Sequence, residues 1–379
     1  MSTATCRSCG AEVLEEARFC EVCGAATASE ASGASASAAP DRDGSPLDDA
    51  GSSARYAAPC AACGGSVAPD GYCGTCGARA VSERDHFEEQ PAPWLAGTCD
   101  RGIRHERNED AMALAVLPSP VAATDPTGGG PGEVGVIVVC DGVSSSTDPD
   151  VASLAAARAA RAVLTGSRVQ GPDTAAGHAS AVAARIAAAC EAADEAVVAT
   201  TRDRLVASPA SCTIVVAVLD GDLLALGWVG DSRAYWLPDQ PAPARVLTID
   251  DSVAAERMAL GVPREQAENG PQAHAITRWL GVDSPAEPAH TVTSRLEPPG
   301  WLLVCSDGLW NYCSEPADLA ALVATLASEH REPQGLSRAL VDWAKERGGH
   351  DNITVGLARV SGGNPTELVG TMEGSTPDG

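Results

Sequence analysis

Short apolar runs separated by turn-forming residues recur along the chain from about residue 94 to residue 361. Runs of this kind, rich in Val, Ile and Leu, are typical of buried strands. Nine segments have the pattern: 111–117, 134–140, 212–219, 223–229, 233–237, 245–248, 289–294, 301–305 and 353–360. Because these strands come in hairpin-like clusters, the pattern favours antiparallel sheets covered by helices, which is an α+β fold.

Five segments have the periodicity of amphipathic helices: about 149–165, 178–204, 252–260, 316–329 and 335–347. The apolar residues of 178–204 recur at helical spacing and predict one buried face. This stripe consists of Val182, Ile186, Ala189 or Cys190, Ala193 and Val197.

Two of the predicted strands end in Asp-Gly with no matching strand after it. In VGVIVVCDGVSSS (134–146), Asp141-Gly142 leads through serines into an Ala-rich helical segment, and WLLVCSDGLW (301–310) presents Asp307 in the same way. By contrast, Asp220-Gly221 lies between two apolar runs, where an ordinary hairpin turn explains it. The pattern therefore predicts carboxylates gathered at one end of a sheet.

Two Cys-rich units precede this region, each with two C-x2-C pairs about ten residues apart. The first unit contains Cys6, Cys9, Cys20 and Cys23, and the second contains Cys60, Cys63, Cys73 and Cys76. Four thiolates at this spacing suit tetrahedral Zn²⁺ and leave no open position, so we predict two structural zinc ribbons. A redox dithiol or an iron site is the alternative. Each unit is too small for a core of its own, and the metal takes its place.

Segments without periodicity separate these units, and their composition of Ala, Ser, Gly, Pro and Asp is typical of flexible linkers. The predicted order is zinc ribbon 1 at 1–26, a flexible linker at 27–58, zinc ribbon 2 at 59–80, a linker at 81–93, the α+β domain at 94–361 and a disordered tail at 362–379.

The chain has 51 acidic and 26 basic residues, for a formal net charge of −25. Non-specific binding to nucleic acid or to an anionic membrane requires a basic face, so we expect neither partner. No apolar stretch reaches the length of a membrane span and the N-terminus lacks a signal pattern, so we expect a cytoplasmic protein. Eight of the 14 cysteines lie in C-x2-C pairs, which fits a reducing compartment.

Four motifs place an aspartate at a strand boundary: RHERNEDAMAL (104–114), VVCDGVSSS (138–146), LLVCSDGLW (302–310) and GGHDNITVGLARV (348–360). Their aspartates are Asp110, Asp141, Asp307 and Asp351, and Asp231 in LGWVGDSRAYWL follows a further strand. Each one alone fits a surface turn. Together they predict a shared site, and hard oxygen ligands without nearby His or Cys favour Mg²⁺ or Mn²⁺ over zinc.

Seven motifs occur in order over about 98–360: GIRHERNEDA, VVCDGV, SCTIVVAVLDGDLLALGWVGDSRAYWL, LTIDDSVAAERMALG, ITRWLG, LLVCSDGLW and GGHDNITV. In this order they resemble the type 2C metal-dependent serine/threonine protein phosphatase family in its bacterial form. The resemblance implies two packed antiparallel sheets flanked by helices, a four-layer αββα sandwich with a binuclear metal centre at one end.

The resemblance also implies which positions ligate Mn²⁺ or Mg²⁺: Glu109, Asp110, Asp141, Gly142, Asp231, Asp307 and Asp351. Asp141 would bridge both ions, and the Gly142 carbonyl would assist it. Asp307 and Asp351 would complete the ligands of the first ion, and Asp110 with Glu109 would serve the second, directly or through water. Asp231 would help to hold a loosely bound third ion.

The implied reaction is hydrolysis of phosphoserine and phosphothreonine in proteins by a metal-activated water, without a covalent phosphoenzyme. Its catalytic residues would be His105, Asp110, Asp141, Asp307 and Asp351. The implied partners are phosphorylated proteins and the pathway of a cognate serine/threonine kinase. Asn352 would support the loop of the last ligand, and 251–276 would form a flap beside the site.

His105 departs from the family, which usually has an arginine here to clamp the substrate phosphate. We hypothesise that His105 faces the phosphate, donates a hydrogen bond to it and protonates the leaving alkoxide. The alternative is a histidine that only fills space, with phosphate held by the metals alone. On a strand, the neighbouring Arg104 would point away from the face that His105 uses.

Two further departures concern the surroundings of the site. Serines follow Asp141-Gly142 where the family usually has Gly-Gly, which implies either permissive backbone angles or hydroxyls that bond water or phosphate. Asp250-Asp251 stands where the family often has histidine, and we expect this pair to tune substrates.

Two rival functions stay open. One is a pseudophosphatase that binds phosphoproteins, with the ribbons as its working part; it predicts no Mn²⁺-dependent hydrolysis, and the complete set of aspartates counts against it. The other is a zinc-ribbon nucleic-acid-binding protein, but Arg7, Arg18 and Arg79 are scattered among acids without a basic-aromatic platform. We expect the ribbons to serve regulation or partner docking.

Overall fold

The structure is a computed structural model that describes residues 3–5, 12–14, 59–60, 62–68, 71–119, 132–166, 174–239, 242–297 and 299–360. Its strands are β1 (Thr3–Thr5), β2 (Glu12–Leu14), β3 (His86–Ala92), β4 (Leu95–Asp100), β5 (Asp110–Pro118), β6 (Glu133–Asp141), β7 (Ile214–Asp220), β8 (Leu223–Val229), β9 (Arg233–Pro238), β10 (Arg245–Val246), β11 (His290–Arg295), β12 (Gly300–Cys305) and β13 (Ile353–Val360). Its helices are α1 (Pro149–Thr165), α2 (Ala175–Thr201), α3 (Val253–Ala259), α4 (Arg264–Glu268), α5 (Asp307–Trp310), α6 (Pro316–Ala327) and α7 (Pro333–Glu346).

Two antiparallel sheets form the main body. The six-stranded sheet has the order β10-β9-β12-β13-β4-β3, and the five-stranded sheet has the order β11-β8-β7-β6-β5. All nine strands and all five helices predicted from the apolar pattern are present, with ends shifted by a few residues. Asp220-Gly221 lies at a β7–β8 hairpin, as predicted.

Apolar cores separate four layers. Ile137, Leu226 and Trp236 belong to the core between the two sheets. A second core joins α1 and α2 to the outer face of the five-stranded sheet. A third joins α6 and α7 to the six-stranded sheet. The predicted αββα sandwich is therefore confirmed.

The predicted stripe of the long helix is also confirmed. The buried residues of α2 are Val182, Ile186, Ala189, Cys190, Ala193, Val197 and Thr201. Cys140 and Cys305 are buried within strands as small core residues. Among the described helices, none has the length and apolar character that crossing a membrane requires.

The linker prediction for 81–93 is wrong, because β3 pairs with β4 at the edge of the six-stranded sheet. The β3 sequence HFEEQPA is mostly polar and includes Pro91, a composition typical of edge strands. Its partner β4 is wholly buried but contains Gly97, where a Cβ would lie 2.4 Å from the Met112 sulfur. Polar composition therefore hides β3 from the apolar pattern and close packing at Gly97 hides β4, so the sandwich begins before residue 94.

Some predictions concern residues outside those described. They are the first Cys-rich unit with Cys6, Cys9, Cys20 and Cys23, the linker at 27–58 and the tail at 362–379.

Candidate metal centre and cysteine cluster

Five aspartates lie at one end of the sandwich, because antiparallel strands place the start of one beside the end of the next. Asp110 begins β5 and Asp141 ends β6, where the two residues are register partners. Asp307 follows β12 and Asp351 precedes β13, the antiparallel neighbour of β12. Asp231 lies in the connection between β8 and β9, which joins the two sheets at this end.

Asp110 is fully buried and has two unlike carboxylate oxygens. Its Oδ2 accepts hydrogen bonds from Ser306 Oγ at 2.8 Å and Thr354 Oγ1 at 2.7 Å. Its Oδ1 has no hydrogen-bond partner among the described residues. Burial raises the pKa of Asp110 to about 7, despite both hydroxyl donors. One oxygen is therefore fixed while the other is open to a ligand.

Asp307 repeats this arrangement at the first turn of α5. Its Oδ2 accepts a hydrogen bond from Asn311 Nδ2 at 2.9 Å, whereas its buried Oδ1 has no partner among the described residues. Burial raises the pKa of Asp307 well above its usual range, and the charge of Asp351 raises it further. A carboxylate in this state is costly unless a cation or a proton compensates it.

Asp141 is surrounded by the other acidic groups. Burial raises its pKa well above the usual range, and the charges of Asp110, Asp307, Asp351 and Asp231 all act in the same direction. Its neighbour Gly142 is held close: a Cβ there would lie 2.5 Å from the Pro149 oxygen and 2.8 Å from the Glu109 oxygen. Only glycine fits at this position, because a side chain would collide with these two backbone oxygens.

Asp231 and Asp351 lie at the margins of the group. Asp231 is buried, and its pKa is raised to about 7 by burial and then by the charge of Asp250. Asp351 is partly exposed, and its Oδ1 accepts a hydrogen bond from the Asn352 backbone at 2.8 Å. The same oxygen lies 3.2 Å from His105 Nε2.

Glu109 is buried and firmly oriented. Its Oε1 accepts from Arg107 Nε at 3.1 Å and its Oε2 from Ser144 Oγ at 2.5 Å. Its backbone N–H donates to Asn352 Oδ1 at 2.7 Å. Asn352 therefore supports the loop of Glu109 as well as that of Asp351, and the first serine after Asp141-Gly142 uses its hydroxyl to hold an acid.

His105 faces the acidic group from a loop and not from a strand. Its ring lies between Asp351, 3.2 Å from Nε2, and Glu109 Oε2, 4.0 Å from Nδ1. Arg104 is exposed on the same loop. The strand argument about Arg104 is therefore wrong, because the turn at 102–104 replaces the alternation of a strand.

The described acidic side chains form no group in which three ligand oxygens all lie within 4.8 Å of one another. A single small ion held by protein atoms alone would require such a group. A pair of ions about 3.5–4 Å apart does not, because its ligands are divided between two centres and completed by water. The described acidic side chains alone therefore do not enclose a single ion, and a cation at this end of the sandwich would need water to complete its ligands.

The second Cys-rich unit brings its four sulfurs together, since Cys60, Cys63, Cys73 and Cys76 all lie within 4.8 Å of one another. Two of the Sγ–Sγ distances are 3.6 Å and 3.5 Å. Tetrahedral ligands with Zn–S bonds of ~2.3 Å would be ~3.8 Å apart, so the cluster fits zinc. Backbone N–H groups of Cys76 and Thr75 lower the pKa of Cys73 to about 6, which favours the thiolate.

The segment 251–276 contains α3 and α4 around a small core of Ala254, Ala267 and Ala273. Glu268 of α4 accepts a hydrogen bond from Arg233 Nη2 at 3.1 Å, which ties the segment to the strand that follows Asp231. This segment therefore lies beside the acidic group.

The side chains of Asp250 and Asp251 both have partners inside the protein. Asp250 pairs with Arg233, with Nη2 and Oδ2 2.7 Å apart, and both side chains are buried. Asp251 accepts from the Gly230 backbone at 2.9 Å and lies 2.8 Å from His290 Nε2. Charge pairing within the fold therefore uses both groups, and the expectation that this pair tunes substrates stays a prediction.

The sequence predictions give the serines after Gly142 a role only toward water or phosphate, and they assign no supporting role to Ser306, Thr354, Arg79 or Asn108. Ser306 and Thr354 adjoin motif aspartates, and this proximity is the one sequence signal that could have found them. Arg79 lies in the second ribbon, and nothing in its local sequence points to the acidic group.

The sequence matches the family described as protein phosphatase 2C over residues 125–345, and a zinc-ribbon domain over residues 5–27. A protein phosphatase 2C-type protein of Streptococcus pyogenes is 34% identical over 130 residues, which is 34% of this chain and 50% of that protein. The serine/threonine phosphatase stp of Listeria innocua is 33% identical over 144 residues, which is 38% of this chain and 54% of that protein. The chain spans about half the length of these relatives.

Among solved structures, the catalytic domain of the serine threonine protein phosphatase PstP in complex with two manganese ions has a similar fold. The TM-score is 0.52 at 24% identity, and the match covers 71% of this chain and 98% of that domain. Together with the αββα sandwich and the aspartates at its end, the family match over more than half of the sequence shows what class of protein this is. The chain belongs to the protein phosphatase 2C family.

Proposed function

We propose that this chain hydrolyses phosphoserine and phosphothreonine in proteins, with water as the nucleophile and Mn²⁺ or Mg²⁺ as cofactor. One observation carries the proposal. Asp110 Oδ1 and Asp307 Oδ1 are buried without a hydrogen-bond partner among the described residues, at the end of the sandwich where five aspartates lie. A cation or a proton must compensate such oxygens, and the gathering of five aspartates at one place favours a cation.

The residues that would hold the ions are the acidic group described above. Asp141 lies among the other acidic groups and the Gly142 carbonyl would assist it, whereas Asp307 and Asp351 adjoin strands of the six-stranded sheet and Asp110 begins a strand of the five-stranded sheet. Glu109 is adjacent to Asp110 in the chain, and the buried Asp231 would help to hold a third, weaker ion. When bound, a pair of such ions lowers the pKa of a water molecule and neutralises charge on the phosphoryl group.

The chain's own residues orient and steady this site. Ser144 and Arg107 hold the Glu109 carboxylate, and Asn352 holds the Glu109 backbone. The His105 ring points at the acidic group, where its position suits a hydrogen bond to a substrate phosphate or a proton donation to the leaving alkoxide.

The cysteines would bind two structural zinc ions, one in each ribbon, and the geometry at Cys60, Cys63, Cys73 and Cys76 supports this for the second. The domain order follows the sequence prediction, with the phosphatase domain extended to include β3. We infer that the partners of this chain are phosphorylated proteins in the cytoplasm. A cognate serine/threonine kinase would add the phosphate groups that this chain removes.

The proposal is tested by hydrolysis of a phosphothreonine peptide by the full chain in a Mn²⁺ titration. We expect release of phosphate only with added metal, and a loss of at least about 100-fold in Asp141→Asn. Asp239→Asn is the matched control, since Asp239 is partly exposed and pairs with Arg359. Phosphopeptide binding without hydrolysis by the wild type would support the pseudophosphatase instead.

A further inference from the structure

Three consecutive carbonyls of the loop that carries His105 are each fixed by a side chain. The His105 oxygen accepts from Arg101 Nη1 at 2.6 Å, and the Arg107 oxygen accepts from Asn352 Nδ2 at 3.1 Å. Between them, the Glu106 oxygen accepts from Arg79 Nη1. Arg101 and Asn352 belong to the sandwich, whereas Arg79 belongs to the second ribbon.

The ribbon determines where Arg79 lies. Arg79 forms an antiparallel bridge with Tyr72, and the next residue, Ala80, donates its N–H to the Gly71 oxygen at 2.7 Å. Within the same turn, Cys73 donates its N–H to the Ala78 oxygen at 2.8 Å. Because a unit of this size depends on its metal for folding, the backbone of Arg79 is held in place by the cysteine cluster.

Asp85 ties the two arginines together at the base of the loop. It pairs with Arg79, with Oδ1 and Nη1 3.3 Å apart, and its backbone oxygen accepts from the Arg101 N–H at 2.8 Å. The Arg79 side chain is 28% exposed, so its contacts are partly shielded from water. The ribbon is therefore attached at the loop that delivers His105, Glu109 and Asp110 to the site.

We propose that the second zinc ribbon positions the active-site loop through Arg79, so that loss of metal from Cys60, Cys63, Cys73 and Cys76 lowers phosphatase activity. This inference rests on the proposed phosphatase function. Arg79 is a positioning residue in this account, because it acts on His105 through the Glu106 carbonyl and contacts no reacting atom. The ribbon is then a regulatory element sensitive to zinc availability.

The test compares full-length wild type with Arg79→Ala, Arg79→Lys and Cys60→Ser, and with Arg202→Ala as an exposed-arginine control. Two quantities are measured: amide hydrogen exchange of residues 101–109 and of α7, and kcat and KM on a phosphothreonine peptide at saturating Mn²⁺. Zinc content is determined for each variant.

In Arg79→Ala we expect unchanged zinc content, faster exchange in 101–109 but not in α7, and a fall in kcat/KM of about threefold to tenfold. Arg79→Lys retains a donor and should recover part of both effects. Cys60→Ser should lose one zinc and reproduce the faster exchange and slower turnover. Arg202→Ala should match wild type.

Unchanged exchange in 101–109 of Arg79→Ala would overturn the proposal, as would unchanged kcat/KM in an active enzyme. Equal loss in Arg79→Lys and Arg79→Ala would also overturn it, because a positioning donor should be partly replaceable. A wild type without Mn²⁺-dependent hydrolysis would contradict the phosphatase function instead, and the exchange data would still decide whether the ribbon holds the loop.

Discussion

Asp110 and Asp141 stand directly opposite each other in the β5–β6 ladder. Partners in an antiparallel ladder project to the same face with their Cβ atoms ~5 Å apart, and like charges at such positions are destabilising. Burial raises the pKa of both carboxyls, and the charge of Asp110 raises the pKa of Asp141 further. A divalent cation bound by these carboxylates, as proposed above, would offset the repulsion between them.

Asp110→Asn should stabilise the protein when no Mn²⁺ or Mg²⁺ is present. The asparagine oxygen can still accept from Ser306 and Thr354, while its amide replaces the oxygen that lacks a partner. We expect a rise in Tm of about 2–4 °C at pH 7.5, together with loss of Mn²⁺-dependent turnover. Calorimetry with zinc retained measures the first effect, and a lower Tm would contradict the account.

The same carboxyl predicts a pH dependence. Its folded pKa of about 7 lies above the usual value of 3.8, so the folded state holds the proton more tightly. Between these two values the folded state binds more protons than the unfolded state, and stability is lost as the pH rises. Without Mn²⁺ or Mg²⁺, the Tm of wild type should fall more between pH 5.5 and 7.5 than the Tm of Asp110→Asn. Equal falls in Tm for the two proteins would argue against burial of this charge.

Ser144→Ala should weaken metal activation more than maximal turnover. The hydroxyl donates to Glu109 Oε2 at 2.5 Å, so its removal frees a carboxylate assigned to the second ion. We expect the Mn²⁺ concentration for half-maximal activity to rise by about tenfold. Ser145→Ala is the matched control, since Ser145 is adjacent and exposed. The same rise in both variants would remove the special role of Ser144.

His105 should affect turnover if its ring meets the substrate phosphate. His105→Ala is expected to lower kcat/KM by about 100-fold, within the range for a single acid–base group. His105→Arg should restore part of the loss, because a guanidinium also donates hydrogen bonds to phosphate. Steady-state kinetics on a phosphothreonine peptide measures both, and an unchanged His105→Ala enzyme would favour the space-filling interpretation.

Asp250→Ala should destabilise the fold rather than change substrate preference. It would leave the buried Arg233 with Glu268 as its remaining acidic partner. We expect a loss of about 3 kcal/mol and a fall in Tm of about 10 °C. Asp239→Ala, which breaks the more exposed pair with Arg359, should cost less than about 1 kcal/mol. Equal thermal denaturation curves for the two variants would contradict this ranking.

The apolar pattern predicts the strands that lie inside the sandwich, because each of these is a run of Val, Ile or Leu. It does not predict β3, whose residues at the sheet edge are mostly polar, or β4, whose burial depends on Gly97 packing against Met112. Local patterns report burial along one strand and not contacts made between strands.

The candidate site likewise has one part that the sequence predicts and another part that it does not. The aspartates follow apolar strands and can be found from sequence alone, whereas their supporting groups cannot. Thr354 bonds Asp110 across 244 positions of the chain, and Ser306 does so across 196. Arg79 reaches Glu106 from a separate Cys-rich unit. Such contacts form only when the sheets pack together, so the spacing of residues along the sequence does not predict them.

Anomalous scattering from crystals of the full chain grown with Mn²⁺ would show whether metal ions bind among these aspartates. We predict two manganese peaks at the end of the sandwich, with Asp141 between them and the open oxygens of Asp110 and Asp307 directed at them. An absence of manganese from this end of the sandwich, in crystals of protein that folds as described, would contradict the account.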